Sequence, residues 1–221
     1  MFEDRWEPRM SRRTGLILDF GGVLTTSIAA CARGFDRRTG LPEGTFLSFL
    51  GRDPEGAALW ADLERGAVDQ AAWSARTAQL LGIDGTDLLA RVLADLRPEE
   101  SVLAAARAAA AAGIRVGILS NSLGAGPYDV YAGYGLDEFC HAVLLSEQHR
   151  MRKPDPEIYT AMLDLMELPG EACVFVDDTP RNLPPAEELG IATVLARDPA
   201  ATIAQVEALL EVPLTGQLRT A

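Results

Sequence analysis

Histidine is nearly missing from this chain of 221 residues, which holds two, His141 and His149. That scarcity removes most histidine-based metal and triad chemistry. Cysteine is equally thin. Cys31, Cys140 and Cys173 lie far apart with no CxxC pair, so neither a disulfide framework nor a thiolate zinc site is suggested. A reducing cytoplasm is the expected compartment. Positive charge is short as well: 20 Lys and Arg against 32 Asp and Glu leave a net charge of −12. Such a balance excludes a nucleic-acid surface, and an anionic substrate has to be drawn in by a local positive site. No apolar run reaches membrane-spanning length, since Arg107 and Arg115 interrupt the longest alanine-rich stretch. Ser11-Arg12-Arg13 ahead of apolar residues, with Cys31 beyond, imitates a twin-arginine leader. Asp19 falls inside that apolar region, where a carboxylate costs about 2.5–3.5 kcal/mol on insertion scales, and the leader is set aside.

What is present organises around Leu16-Ile-Leu-Asp19-Phe-Gly21-Gly22-Val-Leu-Thr25. Three apolar residues running into an acid fit a strand buried on both faces, with Asp19 at its carboxyl end. Gly21 and Gly22 permit a sharp turn and a close approach to a ligand. Residues from about Ser27 to Leu96 hold no convincing strand and read as helices over 28–39, 45–50, 55–63, 70–81 and 86–96. A helical block placed directly after a strand of this kind reads as a lid. From Pro98 helices and strands alternate: helix 99–112, strand 114–119, a short helix 128–133, strand 141–145, helix 155–166, strand 172–176, helix 184–189, strand 192–195 and helix 200–210. Alternation of this kind implies a parallel sheet of about five strands with right-handed crossovers, an α/β fold. The expected division is therefore a discontinuous core at 14–26 and 98–212, a helical insert at 27–97, and loose ends at 1–13 and 213–221. Met10 is an alternative start to Met1. Gly124-Ala-Gly126 lacks the third glycine of a dinucleotide fingerprint, its place being held by Asp129.

Three strands thus end in polar residues: Asp19, Ser120-Asn121 and Asp177-Asp178. In a parallel sheet those ends share one edge and converge. Lys153 lies in a basic loop, Arg150-Met-Arg152-Lys153-Pro154, just ahead of a helix. Carboxylates at two strand ends make a hard oxygen site suited to Mg²⁺, with the carbonyl of Gly21 as a further candidate ligand. Ser120 and Asn121 can donate to phosphate oxygens, and Lys153 balances the clustered negative charge. A nucleophile, a cation and donors on the equatorial oxygens are the parts phosphoryl transfer needs.

With these residues in order, the chain resembles the haloacid dehalogenase superfamily over nearly everything from Gly15 to Leu210. Asp19-Phe-Gly-Gly-Val matches its first motif, Ser120-Asn121 the second, Lys153-Pro154 the third and Asp177-Asp178-Thr-Pro-Arg-Asn182 the fourth. The helical insert looks like the first type of cap in that superfamily, and the core like its Rossmann-like sheet. The resemblance implies that Asp19 is the nucleophile, that Ser120 and Lys153 hold phosphate, and that Asp178 with Asp177 binds Mg²⁺. It implies that Asn182 positions the fourth-motif loop and Lys153. The sequence departs from the family in one place. Phosphatases of this kind carry a second aspartate two residues after the nucleophile, as general acid and base, and here that position is Gly21. General acid–base help is typically worth about 10²–10⁴-fold, so the chemistry is narrowed rather than abolished.

The first functional reading is a Mg²⁺-dependent phosphatase for a small phosphorylated metabolite, favouring good leaving groups such as sugar-1-phosphates. A 2-haloacid dehalogenase resembles the chain less, because those enzymes need no metal and do not keep paired acids in the fourth motif. A pseudo-phosphatase that binds a phospho-ligand or a partner protein is the non-enzyme reading. No nucleic-acid or membrane partner is expected, and monomer and homodimer stay open. Arg65, before Gly66 in a turn between two insert helices, is a candidate substrate contact. Trp60 and Trp73, at apolar spacing on insert helices, read as packing.

Overall fold

The computed structural model describes residues 12–215. Five strands form one parallel sheet in the order β3-β2-β1-β4-β5. They are β1 (Gly15–Leu18), β2 (Arg115–Ser120), β3 (Ala142–Leu145), β4 (Cys173–Asp177) and β5 (Ala192–Leu195). The central strand reads apolar at every residue because both of its faces are covered. Leu16 and Leu18 face one buried cluster and Ile17 the other, and Val174 and Val176 alternate with Cys173 and Phe175 in the same way. Gly117 on β2 belongs to this packing. A Cβ there would lie 2.2 Å from Met162 and 2.6 Å from Met166, so the strand sits directly on the helix that carries them.

Between β1 and β2 the chain forms α1 (Ile28–Thr39), α2 (Thr45–Gly51), α3 (Pro54–Glu64), α4 (Gln70–Leu81), α5 (Leu88–Val92) and α6 (Glu100–Ala111). The starts of α1, α3 and α4 are capped by Ser27, Asp53 and Asp69, whose side chains accept from backbone amides of the first turn. The remaining helices are α7 (Ser146–His149), α8 (Pro156–Met166), α9 (Pro184–Glu188) and α10 (Pro199–Leu210). One buried cluster runs without a break from Leu16 and Leu18 through Phe35, Phe46, Trp60 and Trp73 of the insert. The other packs α8 and α9 on the opposite face. No described helix is long and apolar enough to cross a membrane.

Three expectations are corrected. Residues 128–133 are not helical. The Tyr128 amide and carbonyl are taken by the side chain of Gln70, at 2.9 and 2.7 Å, so the first helical turn loses its backbone partners. The expected helix at 86–96 shrinks to α5, because Thr86 closes a turn on Asp84 and Asp87 takes a left-handed φ of 47°. The expected loose ends lie outside the described residues at 1–11 and 216–221. At 213–215 the chain is instead held down: Leu214 is buried, and the Leu214 and Thr215 amides donate to Glu207.

Trp73 is fully buried and meets Trp60 and Phe46 edge-on, with ring centroids 5.6 and 6.4 Å away. Trp73→Ala should cost about 3–5 kcal/mol in urea denaturation. An unchanged midpoint would mean that the insert is not part of the cooperative unit.

Candidate active site

Strand order and register bring the polar strand ends together. The sheet reverses direction at β1, whose neighbours β2 and β4 lie on opposite sides. A crevice at the carboxyl ends of the strands is expected at such a switch point. Leu18 pairs with Ile118 on one side and Val176 on the other. The next step of the register sets Asp19 level with Asp177, and the Asp19 amide donates to Val176 at 2.9 Å. Asp19, Asp177 and Asp178 can each bring one carboxylate oxygen within 4.8 Å of the others.

Lys153 joins the cluster from the loop ahead of α8. Its ammonium lies 2.9 Å from Asp19 Oδ1 and 2.6 Å from Asp177 Oδ2, and the residue is 1 % exposed. It is the only lysine in the sequence. A compact ammonium can sit between two carboxylates where a planar guanidinium would demand a fork. Asp177, with no exposure at all, accepts from both Asn182 (3.0 Å to each oxygen) and the Thr179 amide (2.8 Å) as well as from Lys153. Asn182 is held in turn by Tyr159, whose hydroxyl donates to its carbonyl at 2.7 Å.

Three carboxylates against one ammonium leave the cluster short of positive charge. Burial, with Asp177 and Asp178 adding to it and Lys153 opposing, pushes Asp19 up to about 8. Asp178 is raised too, first by burial and then by Asp177. Burial alone would depress Lys153, yet Asp177 and Asp19 hold it above its ordinary value, so it stays charged. Among the described residues no donor reaches Asp19 Oδ2, whereas Oδ1 takes Lys153 and the Phe20 amide at 2.7 Å. A hard divalent cation fits this donor set: oxygens only, and a surplus of negative charge.

The two glycines after Asp19 differ. Gly22 has a φ of +82°, and a Cβ there would lie 2.1 Å from Asp178 Oδ2. Gly21 carries no such strain, and a Cβ there meets only Ile28, at 3.7 Å. The second position after Asp19 therefore has room for a side chain.

Ser120 Oγ is hydrogen-bonded to the Tyr131 hydroxyl at 2.8 Å. Asn121, expected as a substrate contact, lines the cavity over Asp19 and also clamps the backbone of Lys153. It donates to the Lys153 carbonyl (3.1 Å) and accepts its amide (2.8 Å). Arg65, the other expected contact, pairs with Asp155 at 3.1 Å and stands outside the cavity over Asp19. The turn that carries it rests on the backbone of Glu147 beneath Gly66, which aims Arg65 along the surface.

That cavity measures about 290 Å³. Its floor is polar, with Asp19, Ser120, Lys153 and Asp178, and much of its wall is apolar, with Ile28, Leu50, Trp60, Leu93 and Val130. Leu47, 39 % exposed, also lines it. Four polar residues of the lining were not anticipated as site residues: Tyr131, Glu64, Thr179 and Arg181. Tyr131 was hidden by the helical reading of its segment, and its ring meets Phe20 at a tilt of 54° with centroids 4.6 Å apart. Glu64 ends a helix in a charged stretch and carries no local signal of burial.

Comparison with known proteins agrees with this geometry. A family model described as haloacid dehalogenase-like hydrolase matches residues 14–190. The bifunctional epoxide hydrolase 2 of Sus scrofa is 41% identical over 64 residues, which are 29% of this chain and 12% of that protein. The phosphoglycolate phosphatase of Rhodospirillum rubrum is 30% identical over 141 residues, 62% of this chain and 57% of that protein. The chain thus spans a small part of the first relative and little more than half of the second. A haloacid dehalogenase family enzyme from Bacteroides thetaiotaomicron, solved with magnesium and inorganic phosphate, superposes with a TM-score of 0.65 at 20% identity. That match covers 84% of this chain and 96% of the other, and it shows a shared fold.

Gly22→Ala should cost about 1–2 kcal/mol for the left-handed backbone alone, and more for the overlap with Asp178. Urea denaturation reads the loss. Gly21→Ala, by contrast, should leave the midpoint within about 0.5 kcal/mol.

Proposed function

The chain belongs to the haloacid dehalogenase-like hydrolases, and from that premise we propose that it is a Mg²⁺-dependent phosphatase working through an aspartyl-phosphate on Asp19. The observation that carries this reading is the convergence of Asp19, Lys153, Ser120 and Asp178 on the floor of one cavity. Residues 27–97 act in it as a cap, since Ile28, Leu47, Leu50, Trp60 and Leu93 wall that cavity. Mg²⁺ would be held by Asp19 and Asp178, with the Gly21 carbonyl as a further ligand, and supplies positive charge to the transferring phosphoryl group. Asp177, its oxygens already occupied by Lys153, Asn182 and Thr179, serves to hold Lys153.

In the first step an Asp19 oxygen attacks phosphorus and the bond to the ester oxygen breaks, which leaves an acyl phosphate and an alkoxide or phenoxide that takes up a proton. Lys153 and Ser120 steady the phosphoryl oxygens. Water then attacks the same phosphorus, releasing phosphate and restoring the carboxylate. Paired acids and a demand for positive charge favour this reading over a dehalogenase, whose halide would leave with no phosphoryl charge to balance.

The walls set the leaving group. A sugar would press hydroxyls against Ile28, Leu50, Leu93 and Val130, at about 1–3 kcal/mol for each hydroxyl left unpaired. An apolar group instead gains about 0.8 kcal/mol per buried methylene. The substrate class proposed is therefore a small phosphate ester of an apolar alcohol or phenol, in place of the sugar-1-phosphates expected from the sequence.

Three assays test this. Asp19→Asn should abolish turnover of p-nitrophenyl phosphate, because an amide cannot form the acyl phosphate. EDTA should do the same to the wild type, with recovery on adding Mg²⁺. Across a phosphate ester panel, kcat/KM for apolar esters should exceed that for hexose phosphates by at least about tenfold, the equivalent of about 1.4 kcal/mol. Release of halide from 2-chloropropionate without phosphatase activity would replace this reading with the dehalogenase. Phosphate binding without turnover would make the protein a pseudo-phosphatase.

A further inference from the structure

Gly21 leaves the reaction without the carboxyl group that usually protonates the leaving oxygen, yet the cavity holds another carboxyl. Glu64 is the last residue of α3, 6 % exposed, and it lines the cavity together with Asp19 and Gly21. It is fixed to the core from two sides. Its carbonyl accepts from the Ser146 hydroxyl at 2.5 Å, and Ser146 Oγ also accepts from the amide of Ser122, two residues beyond Ser120. Its Oε2 lies 2.5 Å from Arg152 Nη2, out of line for a hydrogen bond, and no other donor reaches that oxygen. A buried carboxylate that lines the cavity beside Asp19, ion-paired to Arg152 but with that oxygen outside any hydrogen bond, is placed to exchange a proton there.

We propose that Glu64 is the general acid and base of this hydrolase, reaching from the insert to do what a carboxyl at position 21 would do. The inference rests on the phosphatase reading. In the first half-reaction the Glu64 carboxyl gives its proton to the ester oxygen as the bond to phosphorus breaks. In the second, its carboxylate takes a proton from the water that attacks the acyl phosphate, which releases inorganic phosphate and restores both Asp19 and the Glu64 acid.

The surroundings suit both halves. Burial, opposed by Arg152, by a hydrogen bond from Trp60 and by Lys153 and Arg181, leaves Glu64 raised to about 7. Arg152 and Lys153 face it from the loop ahead of α8 and Arg181 from the loop after β4; α7, packed on the same end of α3, contributes Ser146 and Glu147. An acid with a value close to the working pH is available in both protonation states. Tyr131, the other hydroxyl over the floor, is a poorer candidate, because burial drives its phenol far above the ordinary range.

The experiment compares an alkyl phosphate with p-nitrophenyl phosphate, whose leaving group needs no proton, at saturating Mg²⁺. In E64Q, checked for folding by thermal melt, kcat/KM for the alkyl ester should fall by about 10²–10⁴-fold and that for the aryl ester by a much smaller factor. The wild type by itself should lose alkyl activity as pH rises through about 7, a limb that is weak for the aryl ester and gone in E64Q. A Cβ at position 21 meets nothing closer than Ile28, at 3.7 Å. Gly21→Asp introduced into E64Q should restore alkyl turnover. Equal losses on both esters, no loss, or no rescue by Gly21→Asp would overturn the assignment. A wild type that hydrolyses neither ester overturns the phosphatase reading, and the role of Glu64 falls with it.

Discussion

One ammonium holds this site together. Lys153 lies between Asp19 and Asp177 at 2.9 and 2.6 Å, with essentially no exposure to solvent. Burying it alone would cost several kcal/mol, and burying two carboxylates without it would cost more. Each therefore makes the other tolerable. The same contact ties the loop ahead of α8 to the ends of β1 and β4, so one ion triad places Lys153, Asp19 and Asp177 together. The remaining hydrogen bonds defend that placement. Asn121 grips the Lys153 backbone, and Asn182 and Thr179 saturate Asp177.

The triad also explains why the chain can be so acidic and still offer an anion site. A net charge of −12 repels phosphate at a distance. At the floor of the cavity, however, Lys153 and any bound cation act in a poorly solvated space, where charges interact far more strongly than in bulk water. Attraction is therefore local, and the apolar walls above it add affinity that does not depend on charge.

Much of the floor was legible in the sequence because its chemistry sits at strand ends. An apolar run ending in an acid announces both the strand and the acid's place at its tip. Asp19, Ser120 and Asp177 were legible in this way, and the ranges of α1 and α4 follow from their caps and breaks. The walls were not legible. Leu50, Trp60 and Leu93 look like any helix core residues, since periodicity reports that a residue is buried and not what it is buried against. Arg65 shows the converse. It is a residue type suited to phosphate, but Asp155 takes the group first.

By itself the sequence determined the parallel α/β sheet, the helical insert and the four separate stretches that carry the polar groups of the floor. Those are local matters of alternation, capping and turn chemistry, which a chain writes residue by residue. Only the tertiary structure decided that Gly22 must be glycine while Gly21 need not be, because that depends on whether Asp178 stands 2.1 Å away. Only it decided that Glu64 lines the cavity over Asp19 and Arg65, its neighbour, does not. Adjacent helix-end residues point in different directions, and which one meets the cavity is a fact about how α3 docks on α7.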